Sequence, residues 1–157
     1  MNQVFLNGTF VQSQSSNTLE VINPVNEQVI GTVPLANEQD VETAVAGAKQ
    51  AQLHWEQVNM VERGKIVEAL AVQLENNKRE LARIYVEEQG KTYAAALGEI
   101  EKSVEYIKYM TSLARKNKGE VLQSEVSDET IMFTKKPVGV TAGIIPWNAQ
   151  YLFSCEN

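Results

Sequence analysis

Residues 136–148 read Lys-Pro-Val-Gly-Val-Thr-Ala-Gly-Ile-Ile-Pro-Trp-Asn, and this stretch decides the expected fold. Its centre, residues 138–145, is apolar or small throughout, a pattern typical of a strand buried on both faces in a parallel sheet. Pro146 ends the run with a stiff turn, and Asn148 then brings a side-chain amide to the carboxyl end of the sheet. Open α/β folds place their ligands at that edge, so the stretch predicts an α/β domain with a site near Asn148.

Two extended pairs are predicted upstream. Residues 4–11 contain Asn7-Gly8, a dipeptide that tolerates the positive φ values of a tight hairpin turn. Residues 19–22 and 29–34 have β-type composition and are separated by Asn23-Pro24, whose proline disfavours helix at the preceding residue. The polar stretch between the two pairs is predicted to be a surface loop.

Three amphipathic helices are predicted between residues 37 and 119. Asn37 can cap the first, with Asp40 near the positive end of its dipole, and Asn59 repeats this arrangement for the second. The second helix is expected to end near Gly90, and the third to close with cations before Gly119. The apolar stripes are Val41, Ala44, Val45, Ala48 and Trp55 in the first helix; Ile66, Leu70, Leu74, Leu81, Ile84 and Tyr85 in the second; and Leu97, Ile100, Val104, Ile107, Met110 and Ala114 in the third.

Composition narrows the class of protein. The 157 residues contain 43% hydrophobic and 22% charged residues, which is ordinary for a folded domain. A net charge of −6 repels phosphate backbones, so nucleic acid is not expected as a partner. No apolar run approaches the length of a membrane span and the start resembles no secretory signal, which indicates a cytoplasmic protein. With His54 and Cys155 as the only residues of their types, no His/Cys metal site is expected.

The order of these motifs resembles the aldehyde dehydrogenase superfamily. The Gly-Val strand followed by Pro146-Trp147-Asn148 is similar to the family's first active-site motif. The Asn-Gly hairpin, the Asn-Pro segment, the helices with Trp55 and Glu88-Gln89-Gly90-Lys91, and a β-arm agree upstream. The resemblance covers residues 1–148 and is nearest the lactaldehyde and glycolaldehyde dehydrogenase branch. It implies the N-terminal part of a Rossmann-like NAD(P)-binding domain with β-hairpins, three helices and a β-arm.

The resemblance also implies a reaction, the oxidation of a small aldehyde to a carboxylic acid with NAD or NADP. Asn148 matches the asparagine whose amide holds the developing oxyanion, which makes it the catalytic candidate. Ile144, Ile145, Pro146 and Trp147, with Asn148, match the stretch that lines the nicotinamide side of the cofactor cleft. Residues 120–137 resemble the arm through which family members form oligomers. The resemblance therefore implies that the chain forms a homo-oligomer, or pairs with a full-length relative, through this arm.

The last nine residues, 149–157, depart from the family pattern, which usually continues with a proline and an apolar helix. A shift of reading frame near Asn148 is the hypothesis for this divergent tail. Cys155 is not expected to be the family's nucleophile, which lies far downstream with a separate glutamate base, and a frayed end is predicted around it. The chain is therefore expected to be inactive alone.

Two other functions remain open from the sequence. The first is a non-catalytic helical interaction module that pairs with a full-length relative through the β-arm. The second, an oxidoreductase that uses Cys155, is not favoured because neither a base nor a cofactor fingerprint accompanies the thiol: Gly139 and Gly143 lack the spacing of a dinucleotide loop. His54 and Trp55, and likewise Lys135-Lys136, are interpreted as surface or packing residues without chemistry.

Overall fold

Two antiparallel hairpins open the fold in the computed structural model, which describes residues 3–116 and 118–156. Strand β1 (Gln3–Leu6) pairs with β2 (Thr9–Gln12) across Asn7 and Gly8, whose φ angles are 51° and 85°. Positive φ at both central residues is what a two-residue hairpin turn of matching twist requires. The hairpin predicted from Asn7-Gly8 is confirmed.

The second hairpin confirms the second predicted extended pair. Strand β3 (Thr18–Ile22) runs antiparallel to β4 (Val29–Pro34), with Thr18 opposite Pro34. The side chain of Asn23 accepts a hydrogen bond from the Val25 backbone N–H at 2.8 Å, and this local bond turns the chain between the strands.

Helix α1 (Glu38–Trp55) begins with the predicted capping arrangement and is also tied to the hairpin loop. The Asn37 side chain accepts from the Asp40 backbone N–H, and the Asp40 carboxylate accepts from the Asn37 backbone N–H, so two orphan donors are satisfied. Asp40 further accepts from the Ser13 hydroxyl at 2.6 Å and the Gln14 backbone N–H at 3.1 Å. These bonds explain how a carboxylate only 2% exposed is tolerated.

Helices α2 (Met60–Gln89) and α3 (Tyr93–Ser112) form the most extensive interface of the fold. Asn59 caps α2 as predicted, and Thr92 caps α3 through the Ala95 backbone N–H. Gly90 ends α2 in the left-handed region, so the chain reverses within three residues and lays α3 back on α2.

The core lies between these two helices. All buried side chains of the described residues except Asp40 belong to α2 or α3, and the hydrophobic ones form two clusters. Small residues let the helices approach closely, and branched aliphatic residues fill the remaining space. The buried set is Ala71, Ala82, Tyr85, Ala96, Ile100, Ser103, Val104 and Ile107.

A third hairpin occupies the range that resembles the family's β-arm. Strand β5 (Glu120–Gln123) pairs antiparallel with β6 (Thr130–Phe133), and both strands are exposed along their whole length. Neither strand packs extensively on another element of the described chain. The hairpin therefore projects its apolar side chains into solvent.

The predicted strand over residues 138–145 is wrong for this chain. The segment forms no strand, and Val138 and Ile144 are 91% and 98% exposed. A central strand needs neighbours that accept and donate its backbone hydrogen bonds, and the described residues form only three separate two-stranded sheets. The described chain is thus a mixed α/β structure of three hairpins and four helices, without the parallel sheet that the apolar run predicts.

The frayed C-terminal end is also a wrong prediction. Residues Gln150–Glu156 form helix α4, which packs on α3. Tyr151 lies against the core cluster that contains Tyr85, and Cys155 lies against the cluster that contains Ala71 and Val104. Burial of these side chains outweighs the conformational freedom of a loose end, which the local sequence alone does not reveal.

Candidate functional site

The turn that carries Asn148 leads into helix α4. Pro146 is extended, with φ of −73° and ψ of 155°, and Trp147–Ala149 then form one turn of 3₁₀-helix before α4 begins. Because the proline ring restricts φ, the chain enters this turn in one direction. The predicted proline-stiffened turn is present, although no strand precedes it.

A cluster of three side chains lies beneath this turn. The Lys91 ammonium donates to Glu99 Oε2 at 2.6 Å and to Tyr85 Oη at 3.0 Å, and Tyr85 Oη donates to Glu99 Oε1 at 2.5 Å. The ammonium also lies 4.1 Å from the centroid of the Tyr85 ring, within cation–π range. We call these residues the Tyr85–Lys91–Glu99 cluster.

The cluster and its neighbour Gln89 bind the backbone of the turn directly. Lys91 Nζ donates to the Asn148 carbonyl at 2.6 Å, and the Gln150 backbone N–H donates to Tyr85 Oη at 3.0 Å. The Gln89 side-chain amide donates to the Trp147 carbonyl. Three backbone groups within four residues are therefore held by side chains at the α2–α3 junction.

The low exposure of Lys91 and Glu99 strengthens the attraction between their two charges. The side chains of Lys91 and Glu99 are only 22% and 11% exposed, so their attraction is screened less than that of a surface pair. Burial by itself lowers the pKa of Lys91, but the hydrogen bonds to Glu99 and Tyr85 outweigh it and raise that pKa above its ordinary value. Burial, followed by the hydrogen bond to Glu99, raises the pKa of Tyr85. Lys91 is therefore an ammonium and Tyr85 a neutral phenol at neutral pH.

The site residues predicted from the sequence lie on a turn with an anchored backbone, and most of their side chains are exposed. Ile144 and Trp147 are 98% and 74% exposed, Pro146 is exposed, and Ile145 is partly buried. Asn148 is exposed, and within the described residues its side-chain amide makes no hydrogen bond, although its carbonyl is held by Lys91. The structure thus orders the backbone of the turn and leaves the amide available to a ligand.

The Tyr85–Lys91–Glu99 cluster was not predicted from the sequence. One signal was available, because Glu99 lies beside the stripe of Ala96, Ile100 and Ser103 that α3 buries. A carboxylate at the edge of an apolar stripe requires a partner. Which partner it finds depends on the chain reversal at Gly90, and that information is not contained in helical periodicity.

A known protein family matches most of the chain. A family profile described as "Aldehyde dehydrogenase family" matches residues 10–157 of the chain. The chain belongs to the aldehyde dehydrogenase family. The matched range includes residues 149–157, which the sequence analysis treats as a divergent tail.

Several aldehyde dehydrogenases of known activity are similar along nearly the whole chain. The lactaldehyde dehydrogenase of Escherichia coli (strain K12) is 33% identical over 148 residues, which cover 94% of this chain and 31% of the relative. The D-glyceraldehyde dehydrogenase (NADP(+)) of Thermoplasma acidophilum is 34% identical over 146 residues, which cover 93% of this chain and 30% of the relative. The chain therefore spans just under a third of the length of these aldehyde dehydrogenases.

Solved aldehyde dehydrogenase structures share the arrangement of hairpins and helices. The structure of the E. coli lactaldehyde dehydrogenase superposes with a TM-score of 0.94 at 31% identity, covering 98% of this chain and 32% of that one. A Staphylococcus aureus betaine aldehyde dehydrogenase variant in complex with NAD⁺ gives a TM-score of 0.92 at 33% identity, covering 98% and 31%. The chain has the fold of the N-terminal part of an aldehyde dehydrogenase.

The described residues give no sign of a metal centre or a membrane span. No three His, Cys, Asp or Glu side chains come together in residues 3–116 and 118–156 in a way that could hold a metal ion. In the same residues, no helix combines the length and apolar character needed to cross a bilayer.

Proposed function

We propose that this chain is the N-terminal part of the Rossmann-like cofactor domain of an NAD(P)-dependent aldehyde dehydrogenase that converts an aldehyde to a carboxylic acid. The observation that carries the proposal is the turn Pro146-Trp147-Asn148, which is anchored through its backbone while the Asn148 amide stays exposed and unbonded within the described residues. The family's nucleophilic cysteine and glutamate base have no counterpart in these residues. We therefore expect no aldehyde oxidation from the chain alone.

Asn148 is proposed to donate its amide N–H to the oxygen of the bound aldehyde. Attack on a carbonyl builds negative charge on that oxygen, and an amide held at hydrogen-bond distance stabilises the charge. Cys155 is not given a role, because it packs on the apolar cluster of Ala71, Val104 and Ile107. The nucleophile is expected from a segment outside this chain.

Residues 144–148 are proposed to line the nicotinamide side of the cofactor. Exposed apolar side chains such as Ile144 and Trp147 suit one face of a flat ring, whereas a Gly-rich phosphate loop is absent from the sequence. The residues present thus fit the ring end of NAD or NADP, and the phosphates need other segments. Bound there, the nicotinamide would accept the hydride from the substrate carbon.

A chimeric enzyme tests the role of Asn148. Residues 1–148 of this chain replace the corresponding segment of the E. coli lactaldehyde dehydrogenase, and kcat for aldehyde oxidation is measured with NAD⁺. Asn148→Ala is expected to lower kcat by about 10²–10³, the cost of losing one well-placed oxyanion donor. Asn77→Ala is the matched control, because Asn77 lies on the exposed side of α2 and bonds only the Gln73 carbonyl. Equal kcat values for the two variants would refute the assignment.

Calorimetry on the chain itself tests the cofactor surface. NAD⁺ and NADP⁺ are titrated into the purified chain and into Trp147→Ala, with Trp55→Ala as the matched control on α1. Saturable binding that is weakened by Trp147→Ala alone supports the proposed lining. Absence of binding by a folded sample would show that residues 144–148 need the rest of the domain before they hold a cofactor.

One observation favours a second candidate, a non-catalytic chain that associates through the β5–β6 hairpin. Val121 and Met132 lie directly opposite each other and are 70% and 71% exposed, and neighbouring Phe133 is 56% exposed. An exposed apolar hairpin with open strand edges is a surface on which another chain can pair. Its partner would be a second copy or a full-length relative.

Light scattering after gel filtration separates this candidate from a monomeric chain. Met132→Lys is expected to convert an associated species to monomer, because it places a charge in the centre of the hairpin face. Val25→Lys is the matched control, since Val25 is 75% exposed in the β3–β4 turn. A monomer before mutation, or equal effects of both substitutions, would contradict self-association through the hairpin.

A further inference from the structure

The Lys91 ammonium and the Tyr85 hydroxyl use all of their hydrogen-bonding capacity within the cluster and the turn. An ammonium has three donors, and those of Lys91 go to Glu99, Tyr85 and the Asn148 carbonyl. The Tyr85 hydroxyl donates to Glu99 and accepts from Lys91 and from the Gln150 backbone N–H. A group with every bond committed has little freedom to rotate.

A simple structural bridge between α2 and α3 would not need to reach the turn. Lys78 provides the comparison, because it also links the two helices, through Glu75 at 2.7 Å and Glu101 at 2.9 Å. Its side chain is 27% exposed, close to the 22% of Lys91. Lys78 makes no bond outside these helices within the described residues, whereas Lys91 makes a short one to the Asn148 carbonyl.

The location of that bond is informative. Lys91 and Tyr85 hold the backbone on both sides of Ala149, at the Asn148 carbonyl and the Gln150 N–H. The Asn148 side chain starts from this fixed backbone and makes no bond of its own to the described residues. The position of its Cβ atom is therefore set by the backbone beneath it, and displacement of a reacting group by about 1 Å is enough to lower a rate strongly.

We propose that Tyr85, Lys91 and Glu99 are positioning residues that hold the Asn148 turn in the geometry needed for its amide to act as a donor. Glu99 orients the Lys91 ammonium and the Tyr85 hydroxyl, and those two groups bind the turn. The catalytic part of this assignment rests on the proposed function of Asn148. The mechanical part, which is control of the turn by the cluster, does not.

The test compares Lys91→Met with Lys78→Met in the full chain. Both substitutions keep the aliphatic stem and remove one ammonium that bridges α2 and α3. Amide exchange of Gln150 is followed by NMR, and the fluorescence anisotropy of Trp147 is recorded in a Trp55→Phe background, because these are the only two tryptophans. The urea midpoint of unfolding is measured for each protein.

Lys91→Met is expected to accelerate amide exchange of Gln150 by roughly 10-fold or more, because a hydrogen bond to a charged group stabilises the folded turn by about that factor. The same substitution is expected to lower the fluorescence anisotropy of Trp147. Lys78→Met is expected to leave both readouts within about 2-fold of the parent, because the ion pairs of Lys78 do not involve the turn. Similar changes in the two variants, or none in Lys91→Met, would overturn the proposal.

Tyr85→Phe keeps the test decisive if Lys91→Met does not fold. The phenylalanine preserves the edge-to-face contact with Tyr151, whose ring centroid lies 5.2 Å away, and removes only the hydroxyl. Gln150 exchange is expected to accelerate while exchange in the core of α3 does not, and unchanged Gln150 exchange would refute control of the turn by Tyr85. These measurements need neither cofactor nor aldehyde. An unchanged kcat in the Asn148→Ala chimera would therefore refute the proposed function, but it would leave control of the turn by the cluster to be judged from amide exchange and anisotropy.

Discussion

Gly90 illustrates how one residue connects helix α2 to the candidate site. Its φ of 68° is left-handed, and an added Cβ would lie 3.0 Å from Pro24 Cγ. Gly90→Ala is therefore expected to destabilise the chain by about 1–2 kcal/mol, measured by urea unfolding. Gly98→Ala is the control, because Gly98 lies within α3 and no atom lies near the position of an added Cβ. Alanine at this position should raise the free energy of unfolding by about 0.5–1 kcal/mol. Destabilisation of equal size in both would contradict the backbone explanation.

Asp40 gives a prediction for pH at the same scale. The hydrogen bond from Ser13, with those from the Gln14 and Asn37 backbone, lowers the pKa of Asp40 despite its burial. A carboxyl with a lowered pKa in the folded state adds stability that is complete above its unfolded pKa of about 3.9 and is lost as pH falls through the folded value. Asp40→Asn should therefore flatten the loss of stability in acid.

Urea unfolding between about pH 6 and about pH 3 measures this effect. Asp128→Asn is the control, since Asp128 lies exposed in the turn between β5 and β6 and its carboxylate makes no hydrogen bond within the described residues. If the free energy of unfolding fell equally with pH in the parent and in Asp40→Asn, Asp40 would not be a source of the loss of stability in acid.

At the scale of elements, an aromatic contact helps to hold helix α4 on the core. The Tyr151 ring meets Tyr85 edge to face at 5.2 Å and is partly buried against the core. Tyr151→Ala is expected to cost about 1–2 kcal/mol and to release α4, visible as lost helical circular dichroism and faster Gln150 exchange. Tyr109→Ala is the matched control, because Tyr109 is 60% exposed on α3. Unchanged helicity in Tyr151→Ala would show that α4 is held by other contacts.

For the whole molecule, stability is concentrated in α2 and α3, which hold all the described core residues. Native-state hydrogen exchange should therefore be slowest in residues 71–107 and fastest in the β5–β6 hairpin and residues 138–145. Ile100→Ala should lower the free energy of unfolding by about 2–5 kcal/mol, because Ile100 is fully buried in this core. The control is Ile144→Ala, a fully solvated side chain from which no loss is expected. Protection of residues 138–145 equal to that of α3 would contradict this distribution.

Much of the fold was predictable because its signals are local. Asn7-Gly8 supplies the positive φ values of the first turn, and Asn37 and Asn59 cap helices with their own side chains. The failures both involve partners distant in the chain. Residues 138–145 have the composition of a central strand but no neighbours among the described residues, and the tail around Cys155 is helical only because the α2–α3 core accepts it.

Local patterns were enough to predict the first two hairpins, the three long helices and the motif at Pro146-Trp147-Asn148, because turn residues, caps and helical periodicity act over a few neighbouring positions. How that motif is held depends on tertiary packing. Lys91 and Tyr85 reach the Asn148 turn across 57 and 65 residues of sequence, after Gly90 has reversed the chain. Contacts over such separations depend on how α2, α3 and α4 pack together, and no local pattern encodes that arrangement.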